Sequence, residues 1–454
     1  MSPSRILLNA FDMSCIGHQS PGLWKHPDDQ GHRYKDLDYW TDLARLLERG
    51  GFESLFLADV LGAYDVYQDS RDSAVREGVQ IPVNDPLLAV PAMAAVTDHL
   101  GFGVTVSLTY EQPYSFARRM STVDHLTKGR VAWNIVTSYL DSAARNLGLQ
   151  QQISHDERYD LAEEFLEVCY KLWEASWEED AVRCDPERGV FADPAKVHDI
   201  AHDGRYFSVP GPFLSEPSPQ RTPVLYQAGA SNRGRGFAAR HAEGIFVNAY
   251  RADVVAQYVE DTRRQAKENG RDPRSLKFFS LMTPIVAQTD ELAQQKYREY
   301  LQCASDDGAL VLYGGWSGLD LARYRRDEPL QYVENDAIQS AVHTFTRADP
   351  NREWAPQDVA RFLGIGGMGP VMVGSPSTVA DQIEQWVEES GVDGFNIAYA
   401  VTPGTFEDFV EHVVPELRAR GRVRDSYAGS TLRENLQGEG ARLREDHPGS
   451  RHRH

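Results

Sequence analysis

Residues 101–138 read GFGVTVSLTYEQPYSFARRMSTVDHLTKGRVAWNIVTS, and their pattern decides the fold. FGVTVSLTY (102–110) is a short apolar, β-branched run. PYSFARRMSTVDHLTKGR reads as a helix. VAWNIVTS (131–138) is a second strand-like run. A strand, a helix and a strand in succession form a parallel crossover unit.

The same alternation continues in both directions. Upstream lie the runs Ile6 to Phe11 and FESLFLAD (52–59). Between them YKDLDYWTDLARLLERGG places Leu37, Trp40, Ala44 and Leu47 on one helical face and stops at Gly50-Gly51. DPLLAVPAMAAVTDHLG opens on Asp85-Pro86, an N-cap followed by a first-turn proline, and Pro91 predicts a kink. Downstream, the runs 223–229, 244–250, 276–287 and 394–400 alternate with helical stretches such as DLAEEFLEVCYKLW and STVADQIEQWVEES. Eight runs predict a closed (β/α)₈ TIM barrel with long insertions; an open doubly wound sheet is the rival. One barrel domain is expected over 1–437, with insertions near 60–84, 176–220 and 304–377. The polar tail 438–454 has no apolar period and reads as disordered.

Composition narrows the function. Lys plus Arg number 47 and Asp plus Glu 67, so the net charge is 47 − 67 = −20. That charge repels phosphate backbones and anionic lipid, which argues against nucleic-acid and membrane partners. No apolar run reaches the roughly 20 residues of a membrane span. The start, MSPSRILLNAFDMS, lacks the long apolar segment of a secretory signal, and Cys15, Cys169, Cys184 and Cys303 are scattered. Reduced thiols in a cytoplasmic protein are expected.

Barrel chemistry sits where strands end. Those ends carry Asp59, then Thr105, Ser107 and Thr109, then Asn134 and Ser138, then Gln227 and Ser231, then Asn248. They are mostly neutral hydrogen-bonding groups, without HExxH or a carboxylate ladder, so no metal site is expected. Asp59 reads equally as a turn carboxylate. Thr105 and Ser107 share a strand face and can meet a heterocycle's edge. QAGASNRGRG offers Ser231 at a helix start, where free N–H groups favour phosphate; an ordinary capped turn reads as well. In SHDERYDLAEEF, His155 and Tyr159 stand four residues apart and face one way. His18 and Trp24 follow the first strand in GHQSPGLWKHP, as a proton donor and a pocket wall, or as surface and loop-packing residues. GIGGMG (364–369) reads as a flexible loop, and no GxGxxG, P-loop or GxSxG is present in its proper context.

The stretches ERGGFESLFLAD, PAMAAVTDHLGFG, GRVAWNIVTS, HDERYDLAEEFLEV, GVFADPAKVH, SPQRTPVLYQAGAS, DGFNIAYAVTPGTFEDFVEHVVPELRARG and STLREN cover most of residues 5–435. Together they resemble the flavin-dependent monooxygenases of the bacterial-luciferase-like group that act on nitrilotriacetate, dibenzothiophene sulfone and dimethyl sulfide. The segment NAFDMSCIGHQSPGLWKHP looks most like the dimethyl sulfide branch. The resemblance implies a barrel that binds reduced FMN (FMNH2), uses O2 as co-substrate and receives its flavin from a transient NAD(P)H-dependent flavin reductase. It implies that Asp59, Thr105, Ser107, Asn134 and Ser138 contact the flavin region. His155, Tyr159 and Ser231 hold its phosphate, His18 gives a proton, and Phe11, Trp24, Phe56 and Phe246 wall the substrate. It also implies a homo-oligomer. Small organosulfur compounds are the leading substrates. Amines, aminopolycarboxylates, aromatic sulfones, a flavin or deazaflavin oxidoreductase without oxygen insertion, and a flavin-storage protein stay open.

Overall fold

A computed structural model describes residues 5–229, 231–330, 342, 345 and 352–454. Eight strands form the ring: β1 (Leu7–Met13), β2 (Ser54–Ala58), β3 (Gly101–Ser107), β4 (Val131–Val136), β5 (Val224–Gln227), β6 (Gly244–Val247), β7 (Lys277–Val286) and β8 (Gly394–Ile397). All pair in parallel. The neighbour order runs from β1 to β6, and the ring closes through β7 and β8 back to β1. The fold is a closed (β/α)₈ barrel, with every strand-like run of the sequence used as a stave. Helices α1 (Leu37–Arg49), α2 (Pro113–Leu126), α3 (His155–Tyr170), α4 (Asn232–His241), α5 (Ala252–Glu268), α6 (Asp290–Cys303), α7 (Asp306–Ser317), α8 (Pro356–Leu363) and α9 (Pro376–Ser390) supply the outer layer and the insertions. The expected cap forms: Asp85 accepts from Leu87 N–H, and the chain breaks into a 3-10 turn before the short helix Val90–Ala94.

Strand alternation sorts the core. Leu8, Ala10, Leu55, Leu57, Phe102 and Trp133 face the helices. Leu7, Phe11, Phe56, Tyr226, Phe246 and Phe279 fill the lumen.

The insertions take different places. Segment 60–84 follows β2 and lies at the C-terminal mouth. Segment 176–220 lies between α3 and β5, so it sits at the opposite end and cannot roof a pocket; it forms two small hairpins, Val182–Asp185 with Val190–Ala192 and His202–Asp203 with Ser208–Val209. In 304–377, α7 packs against the 60–84 insertion, and Gly22 after β1 leaves no room for a Cβ beside Ser305. Residues 331–341, 343–344 and 346–351 of this insertion lie outside the described residues. It ends in a strand the sequence reading missed, Val371–Gly374, which pairs with the last turn of β7.

The expectation of a disordered tail does not hold. Leu443 and His447 are buried, His447 Nε2 donates to the carbonyl of His241 at 2.8 Å, and Arg453 Nε binds the buried Glu174 at 2.7 Å. The tail docks through polar groups, so an apolar period could not reveal it. The adjoining STLREN motif explains the anchor: Thr431 and Glu434 form a capping box, and buried Arg433 grips Glu243 at 2.7 Å beside β6.

Asp12 faces out of the lumen and is fully buried. Burial pushes its carboxyl up to about 7, while bonds from Met13 N–H and the Tyr399 and Tyr39 hydroxyls oppose the shift and Asp29 adds to it. A carboxyl raised in the folded state contributes stability that is present below the unfolded value near 4 and lost as pH rises to about 7. Asp12→Asn is therefore expected to unfold later than the wild type in urea at pH 8, by on the order of 1–3 kcal/mol. That gap narrows at pH 5. A gap that does not change with pH counts against this account.

Candidate active site at the barrel mouth

The C-terminal ends of β3 and β4 carry paired polar side chains. Asn134 Nδ2 donates to Thr105 Oγ1 at 3.0 Å, and Ser138 Oγ donates to Ser107 Oγ at 2.6 Å. Thr105 and Asn134 are registered opposite each other on adjacent strands. Ser138 holds a left-handed backbone, φ 59°, which turns its hydroxyl back to the sheet. Asn134 Oδ1 and Gln227 Oε1 are buried polar atoms without a partner among the described residues. Such atoms carry a desolvation cost that a ligand's donors can offset. Asp59, just past β2, is half-buried; burial, then the nearby Asp85 charge, push its carboxyl up to about 7.

A second cluster joins α3 and α4. Ser231 caps α4 and accepts from Gly234 N–H at 3.0 Å. Burial pushes the Tyr159 hydroxyl up from its ordinary value, and the Ser231 and Thr137 side chains beside it oppose that shift. The hydroxyl also lies where a Cβ on Gly229 or Gly234 would meet it, at 2.9 and 2.7 Å. A side chain at either position would displace that hydroxyl, which stands beside Ser231 at the start of α4. His155 packs its ring 5.2 Å from Tyr159, and Arg158 is buried next to them with Nη1 on the Ile153 carbonyl at 2.8 Å. Arg233, two residues past Ser231, pairs with Asp160 at 2.5 Å on the surface.

The third cluster is aromatic. The Phe11 and Phe56 rings stack at 4.9 Å, and Phe56 and Phe246 at 4.3 Å, with interplanar angles of 10° and 7°. Phe56 points into the lumen, while Asp59 lies beyond the strand end. His18 packs edge-on to Phe11 at 4.3 Å and is 2% exposed. Trp24 is not in this wall. It is 39% exposed, and its indole N–H is bound to the Glu77 carbonyl at 2.8 Å on the outer loop.

Burial alone pushes the His18 imidazole down to about 3, with no neighbouring charge acting on it. It is neutral at physiological pH. The sequence expectation of a proton donor is narrowed accordingly: it can donate a hydrogen bond but holds no titrating proton. Gln19 Nε2 lies 3.1 Å from His18 Nε2, so the Gln19 amide donates and the imidazole proton stands on Nδ1. That Nδ1 is buried without a partner among the described residues. Sequence reading missed Gln19, and Gly367, whose φ of 62° and lack of a Cβ admit the Gln19 carboxamide. The GIGGMG loop is buried and pinned, with Gly366 N–H donating to Ser20 Oγ at 3.1 Å. Thr283 Oγ1, also buried without a partner among the described residues, lies beneath it.

A closed parallel barrel whose mouth joins a polar rim, a helix-start cradle and a neutral aromatic floor is the build of a barrel enzyme acting on a bound heterocycle. The chain belongs to the luciferase-like monooxygenase family, whose model matches residues 16–394. It is 55% identical over 450 residues to the dimethyl-sulfide monooxygenase of Hyphomicrobium sulfonivorans, covering 99% of this chain and 94% of that protein. It is 51% identical to the long-chain alkane monooxygenase of Geobacillus thermodenitrificans (strain NG80-2), covering 99% and 98%. A crystal structure of riboflavin lyase with modified FMN and riboflavin superposes with a TM-score of 0.93 at 39% identity, covering 99% and 100%.

Proposed function

We propose that the chain is the oxygenase of a two-component system that uses reduced FMN and O2 to oxidise a small organosulfur compound such as dimethyl sulfide. The observation that carries the substrate class is the neutral lining around the aromatic rings. His18 is uncharged through burial alone, with the rings of Phe11 and Tyr399 beside it, and Phe56, Phe246 and Tyr226 continue the aromatic column from Phe11. An aminopolycarboxylate would leave its charges unpaired there. A thioether has none to pair.

The residues present fit the flavin. Ser231, Tyr159, His155 and the α4 start suit its phosphate, by charge and by free N–H groups. Thr105, Ser107, Asn134, Ser138, Gln227 and Asp59 suit the polar edge of its ring. Reduced FMN supplies two electrons and the site of reaction with O2. The chain's own part is to hold that ring, exclude water beneath the α7 and 364–369 roof, and present His18 Nδ1–H to an oxygen atom at the reacting centre. The sequence carries no dinucleotide fingerprint, so reduction falls to a separate flavin reductase.

The test is sulfide loss with reductase, NADH and FMN, under air and under argon. Consumption under air alone, matched to oxygen uptake, is expected. Equal consumption under argon means hydride transfer without oxygen insertion and ends this reading.

A further inference from the structure

The two relatives just named act, by name, on substrates of very different length, and the lumen of this chain bears on that difference. We propose that the stacked rings of Phe11, Phe56 and Phe246 are a floor that limits substrate length, and that Phe246 is the residue that closes it. The inference rests on the proposed function.

In an eight-stave ring, β2 and β6 stand opposite each other. The 4.3 Å contact between Phe56 and Phe246 therefore crosses the whole lumen rather than joining neighbours. Phe11, registered beside Phe56 on β1, completes the column. All three rings are buried. The column is buttressed from below: Tyr226 packs against Phe246 at 5.1 Å, and its ring fills the space that a Cβ on Gly103 or Gly244 would take. Beneath the rings the lumen turns polar. Asn9 Nδ2 donates to Asn396 Oδ1 at 2.7 Å, and Ser54 binds both Asn9 and the Tyr226 hydroxyl. An alkyl chain pushed past the rings would strip these amides and hydroxyls of their partners.

The upper limit is set as firmly. His18 rests edge-on on Phe11, so a substrate atom that reacts beside His18 already sits on the floor. Methyl and ethyl arms can spread across the ring faces. A longer arm has to go down, and Phe246 blocks that way. Removing the Phe246 ring joins the mouth to the space over Tyr226, while Phe11 and Phe56 still support His18.

The experiment compares dimethyl, diethyl and dibutyl sulfide with the flavin-loaded wild type and Phe246→Ala. Wild-type turnover is expected to fall at least tenfold from dimethyl to dibutyl sulfide. Phe246→Ala is expected to erase most of that preference while binding FMN normally. A second readout needs no turnover: dibutyl sulfide should raise the melting temperature of flavin-free Phe246→Ala and leave that of the wild type unchanged. A wild type that uses both sulfides equally overturns the proposal. So does a folded Phe246→Ala with the wild-type profile and no thermal shift. Should the alanine variant fail to fold, Phe246→Val, which removes the ring but keeps a branched apolar side chain, takes its place; an unshifted length profile there also counts against the floor. Failure of the wild type on every sulfide, with reduced FMN and O2 present, sinks the proposed function instead, and the thermal shift then decides the floor alone.

Discussion

His18→Ala is expected to lower substrate oxidation by about 10²–10³-fold, the cost of removing one aligned donor from a water-poor site. Oxygen consumption should continue and end in peroxide, and FMN affinity should stay within about threefold. The reasoning starts from burial. His18 is held neutral far below physiological pH, and Gln19 fixes its proton on Nδ1. On the proposed function the lost group is one N–H facing the reacting centre, with no charge lost. His18 should accordingly contribute no limb near 6.5, the ordinary histidine range, and any limb near 7, where Asp59 titrates, should persist in His18→Ala. Product-to-oxygen ratios measured with a sulfide probe and a peroxide assay decide the matter. Tight coupling in the alanine variant would remove His18 from the reaction.

Ser231→Asp should weaken FMN binding by at least about 100-fold while leaving the fold intact. Aspartate caps a helix as well as serine, so α4 keeps its start and the acceptor for Gly234 N–H. What changes is charge. Two like charges about 4 Å apart cost roughly 4 kcal/mol in a partly buried setting, enough for several hundredfold in affinity. Riboflavin, which lacks the phosphate, should bind wild type and variant alike. Fluorescence titration with both flavins separates the two contributions. An equal loss for riboflavin would place Ser231 at the ring rather than at the anionic end.

Much of the fold was legible because each stave is a short apolar run punctuated by a capped helix, and eight such units leave little else to build. The strand Val371–Gly374 escaped notice because four residues among glycines carry no periodicity. The tail escaped for the opposite reason: His447 and Arg453 look like solvated polar groups until the His241 carbonyl and Glu174 are brought beside them by the fold. At the mouth, Thr105, Asn134 and Ser231 could be read as strand-end and cap residues. Gln19 and Thr283 could not. Their roles depend on Gly367 and Gly366, which approach from more than eighty residues away along the chain. Trp24 misled because an aromatic in a strand-end loop looks like a pocket wall, whereas its indole N–H had a carbonyl to satisfy on the outside.

The seam between the first and last staves has a bearing on how the polypeptide is made. Leu7 registers against Gly394, so the earliest stave waits unpaired on that edge until almost the whole message has been translated. Contacts of such sequence separation form late and slowly. A nonsense codon anywhere before β8 leaves an open, sticky edge instead of a shorter enzyme, and chaperone dependence during synthesis should be strongest in that interval.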